Sequence, residues 1–297
     1  MFPDENAARE WFEGWLWPDG KRACMRCGSL RTHEASHKTM PYRCSDCRKY
    51  FSVKTGTAME GSNVPLRKWA YAIYLEVTSL KGVSSMKLHR DLKVSQPTAW
   101  FMLQRIRESW ARDPQSPFSN QETFSGPVEV DETFIGGREK NKHSNKKQRA
   151  GRGTVGKATV AGVKDRTTNQ ISAKVVDGND AKTLQGFVAS QVDAEAMVYT
   201  DENRAYWGLP NHKTVKHSVG EYVKEMAHTN GLESFWAMLK RGYHGVYHKM
   251  SKKHLHRYIN EFAGRHNIRE LDTIDQMGHV VAGLVGRRLL YRDLVGE

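Results

Sequence analysis

The chain has 297 residues, with 46 Lys and Arg against 33 Asp and Glu, a formal net charge of +13 at pH 7 and a sequence pI near 9.5. Hydrophobic residues make up 38% and mean hydropathy is −0.68, enough for cores in two or three modest domains. No run approaches the roughly 18 apolar residues of a membrane span, the first ten residues lack a basic-then-apolar signal pattern, and so strong a basic excess is the footprint of a nucleic-acid binder.

Residues 1–19 are expected to carry a helix over 6–17 with Trp11, Trp15 and Trp17. Trp11 and Trp15, one turn apart, are expected to pack against a neighbouring domain; stacking on bases is the alternative. Residues 20–60 hold all four cysteines, Cys24, Cys27, Cys44 and Cys47, as C-x2-C-x16-C-x2-C. Two such knuckles present four thiolates to one tetrahedral zinc ion, a closed structural site. Two disulfides or a redox pair would need an oxidising compartment or a thioredoxin-like context, and neither is indicated. Tyr42-Arg43-Cys44 and Tyr50-Phe51-Ser52-Val53 read as strands of this zinc ribbon, and Arg22, Arg26, Arg31, Arg43, Arg48 and Lys49 make it basic.

Residues 61–112 read as helical, with Trp69, Ile73, Tyr74 and Val77 at helix-like spacing. A short helix over 86–92 breaks at Lys93-Val94-Ser95, and a longer helix follows, with Ser95 as N-cap and Pro97 in its first turn. Thr98, Gln104, Arg105 and Arg107 on that second helix favour a helix-turn-helix, with Arg105 and Arg107 as DNA contacts, over a plain helical bundle. Residues 113–127, rich in Pro, Ser, Asn and Gln, read as a linker.

From Val128 onward, residues 128–297 are expected to form one catalytic domain. Strands are expected over 128–135, 159–163 and 170–176, a helix over 180–191, a strand over 197–200, and helices beginning at Glu202 and covering 231–241, 251–266 and 273–290. That order is RNase H-like, an α/β core. Between the first two strands, residues 138–157 carry eight Lys or Arg and a single acid, Glu139. Arg138, Lys140, Lys142, Lys146, Lys147, Arg149 and Arg152 are the expected phosphate contacts of this arm; a solvated loop is the alternative.

Asp131 sits on the first strand and Asp201 at the end of the fourth, and in an RNase H-like order those strands are neighbours. Paired carboxylates repel unless a cation bridges them, and magnesium suits oxygen ligands. Two ions roughly 4 Å apart would activate an attacking oxygen and stabilise a leaving one. Glu233 is the candidate third ligand, and Lys240, nearly two helical turns later, lies on the same face, where it can meet a phosphate.

VEVDETFIGG (128–137), VYTDENRAY (198–206), HTNGLESFWAMLKRGYHGVYH (228–248) and HLHRYINEFAGRHNIR (254–269) resemble the ISXO2-like transposases of bacterial insertion sequences, the IS1595 family, which also carry an N-terminal zinc ribbon. The resemblance implies a DDE-type transposase with an RNase H-like core, using magnesium, or manganese in its place, and structural zinc. Its partners would be transposon ends and target DNA, bound by a dimer or higher oligomer in the bacterial cytoplasm, at the nucleoid. Asp131 and Asp201 match the family's first two acids and Lys240 its basic residue. At the third position Glu233 has the expected offset to Lys240, which would leave Asn230 as helix N-cap; Asn230 itself is the alternative, since some members carry Asn there. His228 is assigned to DNA contact or to supporting the site.

Three other readings carry less. His254-Leu255-His256 with Tyr258 imitates a single-strand nuclease pattern, but histidines two apart on a helix point about 200° apart, and Tyr258 is expected in the core with Phe262. A domesticated, non-catalytic DNA-binding protein would have lost its acids. An RNase H-like nuclease would not need the N-terminal DNA-binding modules.

Overall fold

A computed structural model describes residues 2–111, 123–137, 139–148, 153–214 and 230–296. The chain divides into two compact units, Met1–Phe118 with Glu270–Glu297, and Ser119–Arg269.

In unit 1, helix α1 (Glu5–Leu16) starts where the Asp4 side chain accepts the N–H of Ala7 at 2.9 Å. Strands β1 (Thr32–Glu34), β2 (Tyr42–Cys44) and β3 (Tyr50–Phe51) form an antiparallel ribbon in the order β1-β2-β3. Trp17, just after α1, packs edge-on to Tyr42 and Phe51, so the first helix and the ribbon share a core. Helix α2 (Leu66–Thr78) follows Pro65, which makes no side-chain cap. Glu5 of α1 fills that role, accepting the N–H groups of Leu66 at 2.5 Å and Arg67 at 3.3 Å.

Helices α3 (Ser85–Leu92) and α4 (Gln96–Glu108) begin at Ser84 and Ser95, whose hydroxyls accept from the N–H of Lys87 and Thr98. Lys93, left-handed at φ 50°, turns the chain between them. The expected short helix, tight turn and longer helix are present. The residues meant to face DNA are placed differently: Gln104, Arg105 and Arg107 are all buried. Arg105 lies over the Phe101 ring at 4.1 Å and donates to the carbonyl of Leu289. The distal half of α4 is therefore buried within unit 1, and Arg105 and Arg107 with it. Most of the expected linker, 113–127, lies outside the described residues.

Helix α8 (Thr273–Gly283), expected within the catalytic domain and as far as residue 290, belongs to unit 1. The Trp15 ring occupies the space a Cβ at Gly278 would need, 2.4 Å away. A Cβ at Gly283 would come within 2.5 Å of the Ser109 carbonyl oxygen, Ala58 donates to the carbonyl of Leu284, and Thr57 bridges Val285. Trp15 thus packs within its own unit, on a segment expected in the catalytic domain. A short helix α9 (Tyr291–Val295) follows.

Unit 2 holds strands β4 (Val128–Ile135), β5 (Ala158–Asp165), β6 (Ile171–Val176), β7 (Val198–Thr200) and β8 (His212–Thr214) in one sheet of order β6-β5-β4-β7-β8. The first three are antiparallel, and β7 and β8 run parallel to β4. Strand β8 was not expected. Its three residues, His-Lys-Thr, carry no apolar alternation. Where a helix was expected from Glu202, the chain makes only one 3-10 turn, Arg204–Tyr206.

The strand period of two sorts β4 between two cores. Val128 and Val130 join Leu184, Phe187 and Val188 of helix α5 (Ala181–Ala189). Ile135 on the other face joins helices α6 (Asn230–Gly242) and α7 (Leu255–Asn267). Tyr258 of α7 is buried there with Phe262, as the sequence suggests, and Tyr247 stacks edge-on against it.

Candidate functional site

Each cysteine knuckle is followed by a left-handed residue, Gly28 at φ 76° and Arg48 at φ 57°, which closes a tight turn. All four thiols are free. Cys24 and Cys47 have Sγ atoms 3.8 Å apart, and Cys27 and Cys44 3.7 Å. Those separations are far beyond a disulfide bond. They match the edge of a sulfur tetrahedron around zinc, about 3.8 Å for Zn–S bonds of about 2.3 Å. Among the described residues these cysteines are the only group of three or more His, Cys, Asp or Glu whose ligand atoms lie within 4.8 Å of one another. Asp46 braces the knuckles by accepting from Ser29 Oγ at 2.6 Å and from Arg31 at 2.9 Å.

The second centre lies where β4 meets β7. Val128 pairs with Val198 and Glu129 with Tyr199. Asp131 and Asp201 each stand three residues beyond the first of these pairs, Asp201 one residue past the end of β7. Asp131 has the side-chain parity of the α6 face. Burial, and after it the charges of Glu132 and Asp201, push the Asp131 carboxyl up to about 7. Its Oδ1 accepts the backbone N–H of Glu132 at 2.8 Å, and its Oδ2 accepts Trp236 Nε1 of α6 at 3.1 Å. Trp236 reaches there across Gly162, the β5 partner of Asp131, where a Cβ would come within 2.7 Å of the indole.

Glu233 and Lys240 lie on α6, one turn before and one turn after Trp236, both exposed. They share the stripe that meets Asp131, but Asp131, Asp201 and Glu233 do not close to mutual metal-ligand distance. Asn230 is the first residue of α6 and is exposed. The capping role expected of it falls to Glu129, which accepts the N–H of Leu232 at 3.1 Å and pairs with Arg166 at 3.1 Å while only 2% exposed.

Two acids were missed. Glu129 was passed over as part of an apolar run, although a buried carboxylate in a strand needs partners. Glu132, on the opposite face from Asp131, accepts from Asn203 Nδ2 and from Tyr206 OH, each at 2.7 Å. The alternation of VEVDE, three acids in five residues, was the available signal.

In the basic arm, Lys140 and Lys147 are exposed, and Lys142 pairs with Glu139 at 2.5 Å. Lys146 lies in a 3-10 turn. Arg138, Arg149, Arg152 and His228 lie outside the described residues. No described helix is long and apolar enough to cross a membrane.

Residues 123–267, nearly coincident with unit 2, match the ISXO2-like transposase domain, and residues 3–50 match the transposase zinc-ribbon domain. A protein of Halobacterium salinarum, described as an uncharacterized protein in transposable element ISH50, is 31% identical over 275 residues, covering 87% of each chain. The chain belongs to the ISXO2-like family of insertion-sequence transposases.

Proposed function

We propose that this ISXO2-like transposase binds the ends of its own element, cuts them, and joins the freed 3′-hydroxyl to target DNA. Asp131 and Asp201 are the first two ligands of a magnesium site, and Glu233 is the third. The observation that supports this reading is the parallel pairing of β4 with β7, which carries Asp131 and the start of the Asp201 turn into charge range of each other, with the Asp131 carboxyl raised to about 7 by burial and by the charges of Glu132 and Asp201. A carboxylate that burial and two acidic neighbours make this hard to ionise fits a divalent ion better than a proton-free empty site.

A pair of bound magnesium ions supplies Lewis acidity to both the attacking and the leaving oxygen. The protein supplies the rest. Trp236 fixes the Asp131 rotamer through its indole N–H. The N–H of Asn203 fixes Asp201 by donating to Oδ1 at 3.0 Å. Lys240 is placed to hold a phosphate beside the acids, and Lys140 and Lys147 extend cationic contact along the DNA backbone.

The order of three antiparallel strands followed by two parallel ones supports an RNase H-like core. In unit 1 a helix-turn-helix reading of α3 and α4 now rests on the half-exposed start of α4, Gln96 and Thr98, which is where such a motif meets base edges. Synapsis of two element ends calls for a dimer or larger assembly on DNA.

The direct test is cleavage of end DNA with magnesium by the wild type, Asp131→Asn and Asp201→Asn. Both variants should be inactive, and retained cleavage by either overturns the assignment. Comparing Glu233→Gln with Asn230→Ala decides the third position: loss only in Asn230→Ala would move it there.

A further inference from the structure

We infer that Glu132 is a positioning residue that, through Asn203 and Tyr206, holds Asp201 at the distance from Asp131 that a shared cation requires. The inference rests on Asp131 and Asp201 being metal ligands, and it concerns a neighbouring carboxylate that is engaged elsewhere. Strand alternation gives Glu132 the parity of the α5 face, opposite to that of Asp131. Both its oxygens are already engaged, one by Asn203 Nδ2 and one by Tyr206 OH.

The chain of contacts leads directly to Asp201. Asn203 uses every polar group it has. Its side-chain N–H donates to Glu132, its backbone N–H donates to Asp201 Oδ1 at 3.0 Å, and its own Oδ1 accepts from Ala205 at 3.0 Å to start the 3-10 turn. Tyr206 ends that turn fully buried, and burial followed by the Glu132 charge pushes its hydroxyl well above the usual range, so it stays a donor.

Parallel pairing between β4 and β7 covers Val128↔Val198 and Glu129↔Tyr199. Beyond those pairs, the Glu132 bridge is a side-chain link that ties the Asp201 segment to β4. Without it the turn keeps its anchor on Gln185 of α5 but loses this tie to β4, and Asp201 can shift with it. Partners of metal-ligating groups of this kind affect metal affinity by about 10–100-fold.

The test uses the full-length, zinc-loaded protein and manganese as probe, with free manganese followed by electron paramagnetic resonance, so binding is read without turnover. Glu132→Ala and Asn203→Ala should each weaken manganese binding about 10–100-fold, and the double variant should lose little more than either. Tyr206→Phe, which removes one hydroxyl and leaves the packing, should lose less. Glu132→Gln should stay close to wild type, because the amide oxygen still accepts from Asn203 and its NH2 can donate to the Tyr206 oxygen.

Manganese affinity unchanged in Asn203→Ala and Tyr206→Phe overturns the inference. So does a loss in Glu132→Gln as large as in Glu132→Ala, which would mean that charge and not position matters. If the wild type binds manganese no better than Asp131→Asn, the metal reading itself fails, and that outcome is distinct from the others.

Discussion

Asp131→Asn should stabilise unit 2 at pH 8 in the absence of magnesium while abolishing cleavage. The Asp131 carboxyl is moved from an ordinary 3.8 to about 7 in the folded protein. Each pH unit between the two is worth about 1.4 kcal/mol, so keeping the group ionised in the fold costs on the order of 4 kcal/mol at pH 8. The sign follows from a raised acid: its stability is complete below 3.8 and is lost as pH climbs through about 7.

Asparagine removes that cost but has one acceptor for two donors, Trp236 Nε1 and the Glu132 N–H. The unmatched donor costs about 1–3 kcal/mol, leaving a net gain of about 1–3 kcal/mol at pH 8. At pH 4 the wild-type group is protonated in the fold, and the variant should gain nothing. Urea titrations at both pH values, read by pulsed hydrogen exchange of β4 and β5 peptides, isolate unit 2 from unit 1. A variant less stable than wild type at pH 8, or a difference independent of pH, refutes the reasoning.

Zinc removal, or Cys44→Ser, should unfold the ribbon and leave the β4–β5 amides protected, because the two sites sit in separate units; hydrogen exchange by peptide checks it. Gly162→Ala should push Trp236 outward, costing about 1–3 kcal/mol and breaking its bond to Asp131, readable as a tryptophan emission shift together with a lower urea midpoint. Arg105→Ala should lower the melting temperature of unit 1 and leave DNA affinity of the folded protein unchanged, since the side chain is buried; a selective loss of DNA binding would restore it as a contact.

The cysteine spacing, the strand bearing Asp131, the strand that ends just before Asp201, and the helix bearing Glu233 and Lys240 could all be read from sequence, because each depends on local period or spacing. The fate of Arg105 and Arg107 could not. Two residues apart on a helix, they point to different sides of α4, and the Leu289 segment that meets Arg105 is far away in sequence. Glu129 and Glu132 were opaque for a related reason. Strand alternation assigns them opposite faces, while their partners, Leu232, Asn203 and Tyr206, come from elements whose docking is a tertiary fact. The assignment of α8 to unit 1 was equally hidden, since its apolar period is satisfied by any core.

That last feature bears on synthesis. Unit 1 is completed by contacts such as Trp15 on Gly278 and Ala58 on Leu284. A ribosome must make all of Ser119–Arg269 before the pieces of unit 1 can close. At about 5–20 residues per second, those roughly 150 residues take on the order of 10–30 s. During that interval the zinc knuckles and α1–α4 are present without the segment that seals their core, while unit 2 can already fold. Chains interrupted before Glu270 would therefore carry Asp131, Asp201 and Glu233 beside a first unit that never closes.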